Sequence, residues 1–394
     1  MTMAPFGRTI VLNAANRWDD MWMADQQLAT SLSQFMPVLY VDPVQSAATR
    51  IRERGWSSAR RARPGLTFLG PRLARLEPEG LPGISHRGIT NINARLSAFE
   101  VRAALRRLAA DPFASIEANV LAPISGGIGE SRTVYWAQDD FEALAGLVGG
   151  AAESYARGDA RLVASADVVI AANPRVAAAL RSRGRDAHLV PFGCNAEHFS
   201  RSATEDVPSD VSLERPYAVF VGHLGERIDL TILERLASED IRLLLVGPLH
   251  QRAERSRFEA LAKLPGVQWV GPRPFESLPA YMAGAEVALV PYTRSRFNLA
   301  SFPLKTLEYL AAGLPVVSTP LPGVEWIGSE DIHVASEPDR FVGEVDRLLS
   351  LGRDAAGDLR RRNLAQDHSW DRRAEAVASV LGIGLRRAGA SDGR

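Results

Sequence analysis

Short apolar runs alternate with stretches of helical periodicity along the whole chain. Candidate strands lie at 8–12, 38–42, 66–69, 115–120, 133–137, 168–172 and 187–190, and a second series lies at 217–222, 241–246, 267–270, 286–291, 315–318 and 332–335. Several are unbroken apolar runs, such as Leu243 to Val246 and Tyr217 to Val221, as expected of strands covered on both faces in a parallel sheet. Between them, apolar residues recur at helical spacing. This alternation predicts doubly wound α/β domains. The series breaks between residues 191 and 216. Pro191 to Phe199 is rich in turn residues, the polar run Ser200 to Glu214 follows, and strands resume at Tyr217. The break places a domain boundary there. The tail from Ala388 to Arg394 reads as a frayed end.

Composition narrows the class. The chain has 394 residues, enough for two or three domains, with 46% hydrophobic and 23% charged residues, the make-up of an ordinary globular protein. Its formal net charge is zero, so no global field favours nucleic acid. The single cysteine, Cys194, excludes an internal disulfide and a multi-cysteine zinc site. No stretch approaches the roughly 20 apolar residues of a membrane span, and the apolar run at Arg8–Asn13 is too short for a signal-peptide core. A cytoplasmic location is expected. Residues 49–75 carry eight arginines against one acid, Glu53. They read either as a solvated segment or as a contact for anionic lipid or an anionic acceptor, which leaves peripheral membrane contact open.

The segment from Phe297 to Pro320 is the most informative. It reads as loop, helix, glycine stop and buried strand. Pro303 sits where a helix tolerates proline, and Gly313 sits where a left-handed cap ends one. Leu304, Leu307 and Ala311 share a core-facing stripe. Lys305 and Glu308, three apart, share another face near the helix start. A helix N-terminus beside a lysine is a phosphate site in waiting. A carboxylate one turn further in suits a pair of sugar hydroxyls.

On these residues the chain resembles the retaining glycosyltransferases of family 4, in particular a bacterial branch that includes teichuronic acid transferase-like proteins. The resemblance implies a GT-B architecture, with two Rossmann-like domains facing a cleft and a last helix crossing back. Residues 1–192 would form the acceptor domain, 193–367 the nucleotide-sugar donor domain, and 368–394 the returning helix. Val190 to Phe199 looks like the family's linker, and Asp367 to Asp371 like the start of its last helix. By resemblance Glu308 holds the ribose hydroxyls. The family's first motif Glu would fall at position 300, where this chain has Ala300, so hydrogen bonding to the sugar either falls to Asn298 or is weaker, while backbone N–H groups near Asn298 and Ser301 would stabilise charge leaving on the phosphate. Gly222, His223 and Arg227 occupy the family's diphosphate loop, with His223 at the place of an arginine and Arg227 serving for a lysine. Gly247 ends the next strand on the same cleft. Arg273 and Pro274 fall in the loop that meets the base.

In the first half, Gln138 and Asp139 follow a strand where many family members place a histidine. Asp139 and Asp140 suit acid–base work, an acceptor hydroxyl or a helix cap. Trp18, in the loop after the first strand, suits either an acceptor ring or a core anchor. No zinc spacing occurs among the seven histidines, and no bound metal or cofactor is expected. The resemblance implies a metal-independent transferase moving a sugar, with retention, from a nucleotide-diphosphate sugar to an acceptor hydroxyl. Arg227 and Lys305 would neutralise the leaving diphosphate, Asp139 would act toward the acceptor, and domain closure would exclude water. The acceptor, whether glycan, glycolipid or small molecule, is open, as are base and sugar. A nucleotide-sugar-binding pseudoenzyme, an inverting GT-B transferase and an epimerase remain as alternatives. A nicotinamide dehydrogenase is disfavoured, because no Gly-x-Gly-x-x-Gly follows an early strand.

Overall fold

The computed structural model describes residues 6–20, 22–54, 65–83, 87–139 and 152–384. The chain divides into two compact units, one comprising Met1–Pro191 with Arg373–Arg394 and the other Phe192–Arg372.

Unit 1 is built on strands β1 (Gly7–Asn13), β2 (Val38–Val41), β3 (Gln45–Ser46), β4 (Gly65–Gly70), β5 (Leu73–Glu77), β6 (Glu79–Gly80), β7 (Ala110–Glu117), β8 (Arg132–Ala137), β9 (Val168–Ala171) and β10 (His188–Leu189). Eight of these form one sheet in the order β10-β9-β8-β7-β1-β2-β5-β4, while β3 and β6 pair separately. Within the large sheet all neighbours are parallel except β4 and β5. The long helix Arg87–Leu108 packs Val101, Leu105 and Leu108 against Val11, Leu39 and Leu76. The opposite part of the core joins Tyr135 and Val169 to Leu162, Val176 and Leu180. Those last three come from the helices Ala152–Ser165 and Pro174–Ser182.

Besides the two-residue strands β3 and β6, which the sequence reading does not contain, two strands differ from it. β5 escapes it because Arg75 interrupts the apolar run, yet Arg75 is buried. Its charge is matched by Asp42, bonded from Nε at 3.1 Å and from Nη2 at 2.6 Å, and by Asp19 at 2.8 Å. β7 starts five residues before the expected 115 because its first half pairs with the polar start of β1.

Unit 2 carries β11 (Ala218–Val221), β12 (Leu243–Val246), β13 (Val267–Gly271), β14 (Val287–Val290), β15 (Val316–Ser318) and β16 (Ile332–Val334). They form one sheet in the order β13-β12-β11-β14-β15-β16, and every neighbouring pair is parallel. Chain direction across the sheet therefore reverses between β11 and β14. In open α/β sheets a crevice opens beyond the strand ends at such a point. Here β11 pairs with β12 at four positions but with β14 only at Ala218 and Val219, so the two central strands part early. The buried Tyr309 occupies the gap. Its hydroxyl accepts from Val221 N at 2.8 Å and lies 3.3 Å from Val221 O. That side chain satisfies a strand end which β14 no longer reaches.

The helix Leu304–Ala311 begins after Pro303 and stops at Gly313, whose φ of 81° is the left-handed cap that glycine adopts without strain. Its last carbonyls are covered from outside. Ser202 Oγ donates to Ala312 O at 2.9 Å and Arg361 Nε donates to Gly313 O at 2.7 Å. Guanidinium groups at this end complement the helix dipole. Within unit 2, the segment after Phe192 pairs with the approach to the last helix. Cys194 N donates to His368 O, and Trp370 N donates back to Cys194 O, both at 3.1 Å. Gly193 permits this contact, since a Cβ there would sit 2.7 Å from Trp370 N.

Candidate functional site

The site grows from the C-terminal ends of β11, β12 and β14 in unit 2. Gly222 ends β11, and its N–H donates to Val246 O at 2.9 Å. Gly247 ends β12 with φ at 141°, and a Cβ on it would lie 1.9 Å from Gly222 O. No other residue type fits there. The two post-strand loops then run side by side, with Leu224 N donating to Pro248 O at 3.0 Å and His250 N to Leu224 O at 2.8 Å. Trp269 steadies the second loop through Nε1, which donates to Gly247 O at 2.9 Å.

Arg227 is held on three sides. Its Nε donates to Asn298 Oδ1 at 2.7 Å, and its guanidinium lies 4.9 Å from the Tyr292 ring centre and 4.8 Å from that of Phe297. Such a cation between aromatic faces is held in place before any ligand arrives. Its Nη1 and Nη2 have no acceptor among the described residues. Asn298 is buried and fully engaged. Its Nδ2 lies 3.0 Å from Arg227 O, 2.9 Å from Thr293 O and 3.0 Å from Thr293 Oγ1. The structure therefore places Asn298 behind Arg227 as its anchor, and not with side-chain groups turned toward a sugar. Ser301 likewise turns inward, bonding Phe297 O at 2.9 Å, and Ala300 is buried.

Lys305 lies on the other side of the Gly222 turn. Its Cε is 3.9 Å from where a Gly222 Cβ would stand, and its Nζ contacts Glu308 Oε2 at 2.6 Å. The pair is partly exposed, at 25% and 13% of the two side chains, so ligand can reach it. His223 projects from the same turn. Local desolvation, and then His250, Lys305 and Arg227, hold its imidazole below the usual histidine range. These groups thus converge as a cationic cluster around Gly222. Glu308 also acts on His198, which stacks on Phe275 at 4.2 Å and contacts Phe275 O at 3.0 Å. Burial first, and Arg201 among its neighbours, keep His198 below its ordinary value.

Pro274 opens a 3-10 turn at Phe275–Ser277. Arg273 is drawn into a cluster, its Nε 2.5 Å from Tyr281 Oη and its Nη2 2.5 Å from Asp210 Oδ2. A ligand would reach the backbone of this loop more readily than that guanidinium.

In unit 1 the loop after β1 wraps a buried carboxylate. Asp25 Oδ2 accepts from Ala15 N at 2.8 Å, Asn16 N at 2.9 Å and Asn16 Nδ2 at 3.0 Å, and Oδ1 accepts from Gln138 Nε2 at 2.5 Å. Burial pushes the Asp25 carboxyl up despite these donors. Gln138 is thus tied to the first loop, and Asp139 sits next to it just past β8. Asp140 lies outside the described residues. Trp18 meets Tyr40 edge-on at 5.0 Å and Trp22 at 5.5 Å, which gives it an anchoring contact on one side. Glu117 is a second buried carboxylate. Its oxygens accept from Asn13 Nδ2, Ile124 N and Ser125 N, and burial raises its pKa to about 7. Among the described residues, no group of three or more His, Cys, Asp or Glu is arranged to hold a metal ion.

Sequence reasoning missed Tyr309, Tyr292 and Phe297 as supports of the site, and it missed Asp25. An aromatic that plugs a strand gap or stacks on a cation carries no periodic signal. Asp25 looks like an ordinary residue of a helix first turn.

Residues 215–351, inside unit 2, match the family described as glycosyl transferases group 1. A putative teichuronic acid biosynthesis glycosyltransferase, TuaH of Bacillus subtilis, is 30% identical over 204 residues, covering 50% of this chain and 51% of that protein. The chain spans about half the length of the curated relatives it matches. Sucrose-phosphate synthase from Thermosynechococcus elongatus superposes with a TM-score of 0.70 at 18% identity, over 95% of this chain and 98% of that one. HepE of Anabaena, solved in complex with UDP, gives 0.65 at 13% identity, over 95% and 99%. The chain therefore has the GT-B fold, and its second unit carries the glycosyl transferases group 1 signature.

Proposed function

We propose that this chain is a glycosyltransferase that takes a sugar from a nucleoside-diphosphate sugar and passes it to an acceptor hydroxyl. One observation carries the reading. Arg227, held by Asn298 between Tyr292 and Phe297, and Lys305, seated against Gly222, converge at the strand-order reversal of a parallel sheet. A preorganised pair of cations stabilises charge that develops on a departing diphosphate, and it needs no reorganisation at the moment of reaction. Glu308 stands one turn further along the same helix, where it suits the ribose hydroxyls. The backbone of the Gly271–Phe275 loop suits the base. The UDP bound by HepE and the UDP-2-fluoro glucose named with an E. coli trehalose-6-phosphate structure supply the precedent for a uridine diphosphate donor. Retention of configuration and independence of metal belong to the same proposal, by likeness to family 4. So do an acceptor role for Asp139 in unit 1, the division at residues 192 and 367, and membrane contact by residues 49–75.

The test is binding and turnover with a panel of nucleotide-diphosphate sugars, with slow hydrolysis read without acceptor. Lys305→Ala and Asn298→Ala should each weaken donor binding, the first by removing a cation and the second by releasing Arg227. Glu308→Ala should weaken nucleotides and should not weaken inorganic diphosphate, which no longer has to part Lys305 from Glu308. Tight binding of one donor with no release of nucleoside diphosphate, across a screen of acceptors, would leave a binding protein without turnover. The buried Ala300 at the place of a motif carboxylate gives that second reading its one foothold.

A further inference from the structure

The helix Arg87–Leu108 has two apolar faces, and only one is covered. Its inner face buries Ala98, Val101, Ala104, Leu105 and Leu108 in the unit 1 core. Its outer face leaves Ile92, Leu96 and Phe99 exposed at 45%, 39% and 58%. These three fall at helical spacing and make a single stripe. The exposed Arg95 and Arg102 flank the stripe on one side and Arg107 on the other, and Arg106 continues it toward the helix end. Arg102 donates to Gly127 O, and no carboxylate pairs with Arg95, Arg106 or Arg107 among the described residues. The helix has one acid, Glu100, and its carboxylate turns aside to accept from Glu79 N at 3.2 Å. Leu81, 45% exposed, lies beside the same helix. It is fixed there by Asn93, which accepts from Leu81 N at 2.7 Å and donates to Leu81 O at 3.0 Å.

We infer that this face docks on an anionic lipid surface. Large apolar side chains bordered by arginines that pair with no carboxylate among the described residues are repelled by neither part of a bilayer interface. The apolar stripe enters the acyl boundary and the arginines meet lipid phosphates. No helix of the described chain is long and apolar enough to cross a membrane, so this one lies in the interface plane. The helix Ala47–Arg54, which follows β3, starts close by. β3 pairs with β6, and β6 leads directly to Leu81. The assignment does not depend on the donor site of unit 2.

The test is co-sedimentation of the full chain with vesicles. Phosphatidylcholine vesicles should bind little, and vesicles containing phosphatidylglycerol should bind strongly, with affinity falling as salt rises. Replacing Arg95, Arg106 and Arg107 together by glutamate should lower the affinity roughly 100-fold. Phe99→Glu should lower it by at least roughly 10-fold. All four positions are exposed, and thermal melting checks that each variant stays folded. An environment-sensitive dye on Leu96→Cys should shift to the blue on anionic vesicles, and the same dye on Arg132→Cys, an exposed position at the start of β8, should not. Failure of the wild type to bind anionic vesicles would overturn the proposal. So would binding that Phe99→Glu leaves unchanged, which would move the contact to another surface.

Discussion

At the scale of single residues, Arg227 is held by neutral groups, Lys305 is paired with Glu308, and His223 stands beside both cations. Its imidazole is kept below the ordinary range by desolvation and then by His250, Lys305 and Arg227. A bound diphosphate reverses the sign of its surroundings and stabilises the protonated ring. Donor affinity should therefore rise as pH falls through the His223 titration, with one proton taken up on binding. A nucleotide-sugar has no group of its own titrating there, so calorimetry in buffers of different ionisation heat reads the uptake directly. His223→Gln should abolish it; uptake that persists in this variant would place the proton elsewhere. Residue identity was legible here only in part. Lys305, Glu308 and Gly313 stood out because helix-start and helix-stop chemistry is local. The partner of Arg227 did not, because Asn298 is 71 residues away and nothing nearby in sequence marks it as an anchor. Arg273 was legible as a loop residue, but Asp210 and Tyr281, which engage it, were not.

At the scale of elements, the parting of β11 and β14 makes room for a ligand and leaves a strand end to be satisfied. Tyr309 does this with one hydroxyl. Tyr309→Phe should cost about 1–3 kcal/mol, the penalty of a buried N–H without a partner. The denaturant midpoint should fall at unchanged m-value. Donor affinity should fall as well, since Val221 leads directly into the Gly222 turn. A loss below about 0.5 kcal/mol would mean that water or another group replaces the hydroxyl. Every strand named from the sequence is present, and most of them are buried parallel strands whose apolar runs read without context. β5 was missed for an equally physical reason. Its Arg75 is buried against Asp42 and Asp19, and only folding brings those acids together.

At the scale of the whole molecule, the two units carry different chemistry. Unit 2 holds the cationic cluster; unit 1 holds buried carboxylates, Asp25 and Glu117, which brace its loops. Hydrogen exchange should report the division. Saturating UDP should slow exchange in the Gly222–Ile228 and Thr293–Glu308 stretches, and it should leave the strands of unit 1 unchanged. Ligand at about 100 times its Kd stabilises what it binds by about 2.7 kcal/mol, enough to be seen in a local opening. Protection confined to unit 1 would contradict the donor assignment. The alternation of strands and helices was legible in the sequence, whereas the order of strands within each sheet was not. Order follows from which faces pack together, and apolar runs of similar length do not distinguish their neighbours.

The contact between Lys305 and Glu308 has a thermodynamic consequence. While the site is empty the two groups neutralise each other, and either can serve a ligand only after letting go of the other. A fragment that needs the lysine alone, or the carboxylate alone, bears the whole cost of that separation. A nucleotide that engages both bears it once. Inorganic diphosphate and free nucleoside should therefore each bind poorly, and the intact nucleotide should exceed the product of their affinities. On the proposed reading, the pair would set a threshold against any ligand that engages only one of its two groups.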